Sequence, residues 1–152
     1  MNEPTITSTR ARGFTLIELL VVIAIIGVLS SIVIASLSSA RSKGSDAAIQ
    51  SDLHGIQVQA ELYNITNSGY GTAAYATTCS AGMYSDATIA RSITAANNVN
   101  GAGNVYCYAS TNAYLIAADL VTSGYWCIDS TGVAKAESGA APSSAPAGNV
   151  CP

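Results

Sequence analysis

The sequence predicts an α+β fold. One long amino-terminal helix, apolar in its first half and amphipathic in its second, packs on a small antiparallel β-meander with a disulfide-linked carboxy-terminal region. Three observations carry this reading. No charged residue occurs between Leu19 and Leu37. Beyond that run, apolar residues recur at Ile49, Leu53, Ile56, Ala60 and Tyr63, the spacing of a single helical face. Further on, four short runs rich in aromatic and apolar residues follow one another across hairpin-length separators.

With 152 residues the chain suits one modest globular domain. Charged residues make up 10 % of it and hydrophobic ones 49 %. From Phe14 onward the acids outnumber the bases, leaving a formal charge of −4. Such a surface has no basic patch to hold a phosphate backbone, so no direct nucleic-acid binding is expected.

Residues 1–13 form a polar leader in which Arg10 and Arg12 stand directly before the apolar run. That charge placement keeps the leader cytoplasmic and sends the chain after Leu37 outward. Residues 14–37 make the membrane segment. The nineteen uncharged residues Leu19 to Leu37 span about 28 Å as a helix, close to the roughly 30 Å of bilayer hydrocarbon. Ala35, Ser38 and Ala40 offer small residues for an ordinary signal cleavage, but the helical pattern continues past them. Residues 38–68 are the amphipathic half, and the simplest account is one helix from about Thr15 to Thr66, ended by "NSGYG". Gly44 and Gly55 weaken that half by about 1 kcal/mol each relative to alanine, so tertiary packing must hold it.

Residues 69–152 form the head. Gly69 to Asn104 is small and polar, and "AANNVNGAGN" reads as loop or turn. Strands are expected at 105–110, 113–120, 125–130 and 133–137. "YLIAA" in the second of these also fits a helical turn, because alanine is a poor strand former. The tail "SGAAPSSAPAGNVCP" has the composition of a loose arm, which Cys151 at its end would pin to the sheet.

The four cysteines all lie beyond the apolar run, which suggests an oxidising compartment and two disulfides. Zinc competes with this, but no pair has CxxC spacing and the only histidine, His54, falls in another segment. Four cysteines allow three connectivities. Cys79–Cys107 with Cys127–Cys151 is preferred because it ties each long irregular segment to a strand. His54 follows the core position Leu53 and reads as a solvent or interface side chain. Asp129, Ser130, Thr131 and Gly132 read as a tight hairpin turn. The sequon "NIT" at 64–66 is weak evidence for glycosylation. One histidine and no clustered carboxylates argue against an enzyme.

The string "RGFTLIELLVVIAIIGVL" (12–29) resembles the amino-terminus of type IV pilins and of the related pseudopilins of type II secretion and DNA-uptake systems. The resemblance implies that a prepilin peptidase cuts between Gly13 and Phe14 and then N-methylates the Phe14 amine. It implies a precursor in the inner membrane with its amino-terminus inside, and after assembly an extracellular filament or a periplasmic location. The implied partners are further copies in a helical filament, the pilus assembly platform and other pilins. It implies that Glu18 pairs with the Phe14 amine of a neighbour and sets the register of assembly. No cofactor is implied, although some pseudopilins bind calcium in carboxy-terminal loops, and the acidic turn at Asp129 is where that would apply. One departure stands out: Ala35 occupies the position where many members carry proline, while Gly27 is present. Two rival readings remain, a pseudopilin and a signal-anchored binding domain that never polymerises.

Overall fold

The computed structural model describes residues 13–72, 74–76, 78–142, 144, 146 and 150–152; Arg10, Arg12 and the rest of the leader before Gly13 lie outside the described residues. Helix α1 spans Leu16–Asn67. Strand β1 (Ala74–Ala76), a 3-10 turn (Gly82–Ser85) and helix α2 (Ala87–Asn100) follow. Strands β2 (Val105–Ala109), β3 (Tyr114–Asp119), β4 (Tyr125–Asp129) and β5 (Ala134–Glu137) complete the chain. All five strands pair antiparallel in sequence order, so the sheet is a plain meander.

The chain divides into two units between Ser38 and Ser39. In the first, every large apolar side chain from Phe14 to Leu37 is exposed. The second unit has a core, and the stripe of α1 lies in it: Ile49, Leu53, Ile56 and Ala60 are buried, and Tyr63 packs partly against them. This burial supplies the packing that a helix containing Gly44 and Gly55 requires.

The alternation of the strands separates the two faces of the sheet. Val105, Cys107, Ala109, Tyr114, Ile116, Ala118 and Ile128 join the helices in one cluster. Leu115, Ala117, Tyr125 and Cys127 form a second cluster on the other face, together with Ala141 and Cys151 of the tail. The first five residues of β3 are buried because helices cover one face and the tail the other. Alanines at 117 and 118 therefore sit in a strand, where close packing on both faces overrides their weak propensity. One disulfide serves each face. Cys79 is bonded to Cys107 and Cys127 to Cys151.

Two parts of the stretch from Gly69 to Asn104 correct the reading of it as loop. Its first strand, β1, pairs with β2 and adds a fifth strand to the expected four. Its later half is helix α2, whose end contains the asparagines of "AANNVN". Asp86 caps this helix, its Oδ1 accepting from the amides of Thr88 at 2.9 Å and Ile89 at 3.2 Å. Ile89, Ile93 and Ala96 bury a single face. A cap and three buried side chains outweigh the turn preference of the asparagines, of which Asn98 is exposed and Asn100 donates to the Asp119 carbonyl at 2.8 Å.

Carboxylates anchor the irregular segments. Asp46 of α1 is buried and accepts from the Val121 amide at 2.6 Å and from the Thr122 hydroxyl, fastening the β3–β4 connection to the helix. Asp119 accepts from the Ala141 amide at 3.0 Å. Asp129 is fully buried. Its Oδ1 accepts from the Thr131 amide at 2.8 Å and hydroxyl at 2.6 Å, shaping the β4–β5 turn. Its Oδ2 accepts from the Cys151 amide at 2.8 Å, which holds the tail. Gly124 lies at φ +74°, where a Cβ would collide with the Glu137 carbonyl oxygen.

Three outcomes follow from this packing. Gly124→Ala lowers unfolding free energy by at least about 2 kcal/mol, combining left-handed strain with a collision. Gly139→Ala, at φ +90° with open space around it, costs only the conformational part; guanidinium unfolding in detergent, followed by Trp126 emission, ranks the two. By the same assay Asp46→Ala costs about 1–3 kcal/mol, because it removes the charged acceptor of the Val121 amide and the Thr122 hydroxyl. The third outcome concerns alkaline pH. Burial first, then the hydrogen bond to Glu61 and its charge, push the Tyr70 phenol up to about 12. Burial also raises Tyr84 well above its ordinary value and raises Tyr114 and Tyr125. A phenol whose folded pKa is raised adds stability that is intact below pH 10 and is lost as pH climbs through 12. Phenolate absorbance should therefore rise in two stages, the later one coinciding with unfolding.

Candidate assembly site

Chemistry in the first unit is concentrated at the start of α1. Gly13 and Phe14 are exposed and precede the helix, so the bond between them is accessible on the chain as it stands. Thr15 and Glu18 then close on each other. The Thr15 amide donates to Glu18 Oε2 at 2.8 Å, and the Thr15 hydroxyl donates to the same oxygen at 2.7 Å. The Glu18 amide donates back to the Thr15 hydroxyl at 3.3 Å. This is a capping box, in which the cap and third helical residues satisfy each other's end groups.

The box fixes where the carboxylate sits. Glu18 occupies the first turn, at the positive end of the helix dipole, a favourable place for an anion. A shallow hollow of about 420 Å³, lined by Phe14, Ile17, Glu18, Val21 and Val22, surrounds it. One carboxylate on an otherwise apolar wall can accept a cation carried on an apolar partner. The signal for the box, T-x-x-E at 15–18, is present in the sequence, but the reading of Glu18 as a lone membrane carboxylate passed over Thr15.

Further along, Ala35 stands within an uninterrupted helix. At Gly27 the carbonyl accepts from the Ser31 hydroxyl at 2.9 Å, a back-bond that bends helices slightly without breaking them.

The other residues singled out by the sequence fall elsewhere. His54 is exposed, with Nδ1 3.3 Å from Gln57 Oε1 and its ring edge-on to Trp126 at 5.8 Å. Gln57 in turn donates to the Val133 carbonyl at 3.1 Å, so this group links α1 to the β4–β5 turn. The zinc alternative is overturned, because all four cysteines are consumed in disulfides. Among the described residues no group of three or more histidine, cysteine or acidic side chains gathers to hold a metal. The sequon at 64–66 lies in the last turn of α1, where the Thr66 hydroxyl lies 3.0 Å from the carbonyls of both Leu62 and Tyr63. A second hollow, of about 210 Å³, adjoins the Cys79–Cys107 bridge, with Thr72, Thr78, Ser80 and Tyr84 as its hydroxyl groups and no charged group in its lining.

Comparison with known proteins fits this geometry. The family model for the prokaryotic N-terminal methylation motif matches residues 8–34, which include Gly13, Phe14 and Glu18. The type IV wide pilus major component PilA4 of Thermus thermophilus is 39 % identical over 98 residues, covering 64 % of this chain and 70 % of that protein. Type II secretion system core protein G of Dickeya chrysanthemi is 41 % identical over 63 residues, or 41 % of each chain. The protein of that name from Klebsiella pneumoniae is 41 % identical over 63 residues, 41 % of this chain and 45 % of its own. The chain thus spans less than half the length of these core protein G relatives. No solved structure matches at comparable significance. With PilA4 matched over more than two thirds of its length and the methylation motif at its start, the chain belongs to the type IV pilin and pseudopilin family.

Proposed function

We propose that this chain is the precursor of a structural subunit of a type IV pilus-like filament. A prepilin peptidase cuts it between Gly13 and Phe14 and methylates the new Phe14 amine. The apolar half of α1 holds the subunit in the inner membrane, amino-terminus inside, and then polymerises with other copies while the head faces outward. The observation that carries this reading is Glu18, a carboxylate ordered by Thr15 on the wall of an exposed apolar helix, four residues after the Gly13–Phe14 bond.

The physical logic is one of solvent exchange. In the bilayer the apolar side chains from Phe14 to Leu37 contact lipid; in a filament they contact one another. Glu18 near the membrane edge is tolerable, since the cost of an ionised group is greatest at the centre. Between packed helices it meets the Phe14 amine of a neighbour. Such a pair is worth little beyond a good apolar fit, yet losing one partner strands a buried charge. Glu18 therefore selects register. The match to core protein G favours a second reading, a pseudopilin of a secretion system, in which the same processed chain stays with the membrane.

Intact mass and amino-terminal sequencing of sheared and membrane fractions test both. The expected product begins at Phe14, is heavier by one methyl group and appears in the sheared fraction; the same product confined to membranes favours the pseudopilin. An uncut Met1 terminus in cells with active prepilin peptidase sinks the proposal. Glu18→Gln should leave cleavage intact while sheared subunit falls tenfold or more, because an unpaired buried charge costs about 3–5 kcal/mol. Thr15→Val keeps the carboxylate and loses only the cap, about 1 kcal/mol, and so should lower the yield far less.

A further inference from the structure

The hollow of about 210 Å³ beside the Cys79–Cys107 bridge lies wholly within the second unit. Its frame is fixed at two points. The bridge ties the segment 78–81 to β2. Gly71 and Gly82 make the second point: a Cβ on Gly71 would lie 2.6 Å from the Gly82 Cα, and the Met83 amide donates to the Tyr70 carbonyl at 2.7 Å. That close approach brings the chain at Thr72 next to the chain at Ala81. Cys79 itself stands at φ +41°, a left-handed conformation that residues other than glycine seldom adopt. Backbone held in such a state clusters at active sites and ligand clamps. The Tyr84 hydroxyl donates to the Tyr108 carbonyl at 2.6 Å, which fixes that side chain at the hollow.

We infer that this hollow is a binding site for one ring of a neutral sugar. Its lining contains no charged side chain, so an ion entering it would lose water and gain no counter-charge. Thr72, Thr78 and Ser80 are exposed, and among the described residues nothing takes their hydroxyls. Each of the three can both donate and accept. A purely apolar ligand would cover these hydroxyls and leave them unpaired, so the ligand has to bring polar groups of its own. Ala81, Ala109 and the bridge sulfurs supply apolar surface beside them. A sugar ring presents the matching pair of surfaces, hydroxyls at its edge and C–H groups on its faces. The volume falls below the roughly 300–1,000 Å³ of pockets for drug-sized ligands, which limits the occupant to a single ring. A frame fixed in advance by a bridge and a backbone clasp spares the ligand the cost of ordering the loop.

The test uses the full-length chain in a phosphocholine detergent, since maltoside and glucoside detergents carry the probe chemistry themselves. Saturation-transfer-difference NMR is run with glucose, galactose and N-acetylglucosamine, and with glucuronate as the charged probe. Saturation should reach the ring C–H protons of at least one neutral sugar and not those of glucuronate. Ala81→Leu, at an exposed position of the lining, fills the hollow and should abolish the signal. Thr78→Val should weaken binding about fivefold, the worth of one hydrogen bond. Thr94→Val, on α2 and outside the lining, leaves binding unchanged. If Ala81→Leu fails to fold, judged by Trp126 emission and intact disulfides, Thr78→Val and Ser80→Ala decide. No transfer to any neutral sugar from the folded chain means that the hollow holds only water and overturns the inference. An equal signal from glucuronate, or a signal that survives Ala81→Leu, overturns it as well. The proposed filament stands or falls separately, on the processed amino-terminus.

Discussion

Between Phe14 and Leu37 the chain carries a single charge, and hydrocarbon offers its amides no partner. Each unpaired backbone group there would cost several kcal/mol, so this segment has to close its hydrogen bonds internally, and one helix is how it does so. Beyond that segment the same helix carries Ile49, Leu53, Ile56 and Ala60 as an apolar ridge, and the head packs on it.

The head is small, and few of its residues are large and apolar. It gains a second layer from its tail, which brings Ala141 and Cys151 onto the sheet face that the helices leave open. Two disulfides and three aspartates do what a larger core does elsewhere. Asp46, Asp119 and Asp129 each accept from a backbone amide of an irregular segment, at 2.6, 3.0 and 2.8 Å. Hydrogen bonds to charged groups are the stronger kind, and they hold segments that have no periodic pattern of their own. The acidic balance of the chain is thus partly structural. Several of its few carboxylates serve as anchors for loops.

Two carboxylates of α1, Glu18 in its first turn and Asp46 further along, are used differently. At Asp46 the acceptor is buried within one chain and its work is complete there. At Glu18 the carboxylate is capped by Thr15 and stands exposed on an apolar wall. That contrast separates a carboxylate used within the fold from the one on which the proposed function rests.

The sequence by itself determined what is local. The period of 3.6 over 49–63, the uncharged run to Leu37, the meander from Val105 onward and the Gly13–Phe14–Glu18 motif are written in neighbouring residues, so each could be read in place. The box between Thr15 and Glu18 is equally local, and the louder membrane signal around it masks it. Tertiary structure decided the rest. Helix α2 is rich in alanine, threonine and asparagine, and it stands because Asp86 caps it and Ile89, Ile93 and Ala96 find a buried face. Strand β1 has only Ala74–Ala76, and it exists because β2 offers it an edge. Asp46 meets Val121 across 75 residues, a distance no periodicity reports. Local patterns record backbone preference and burial along one element; which distant donor a carboxylate finds depends on how the whole chain closes.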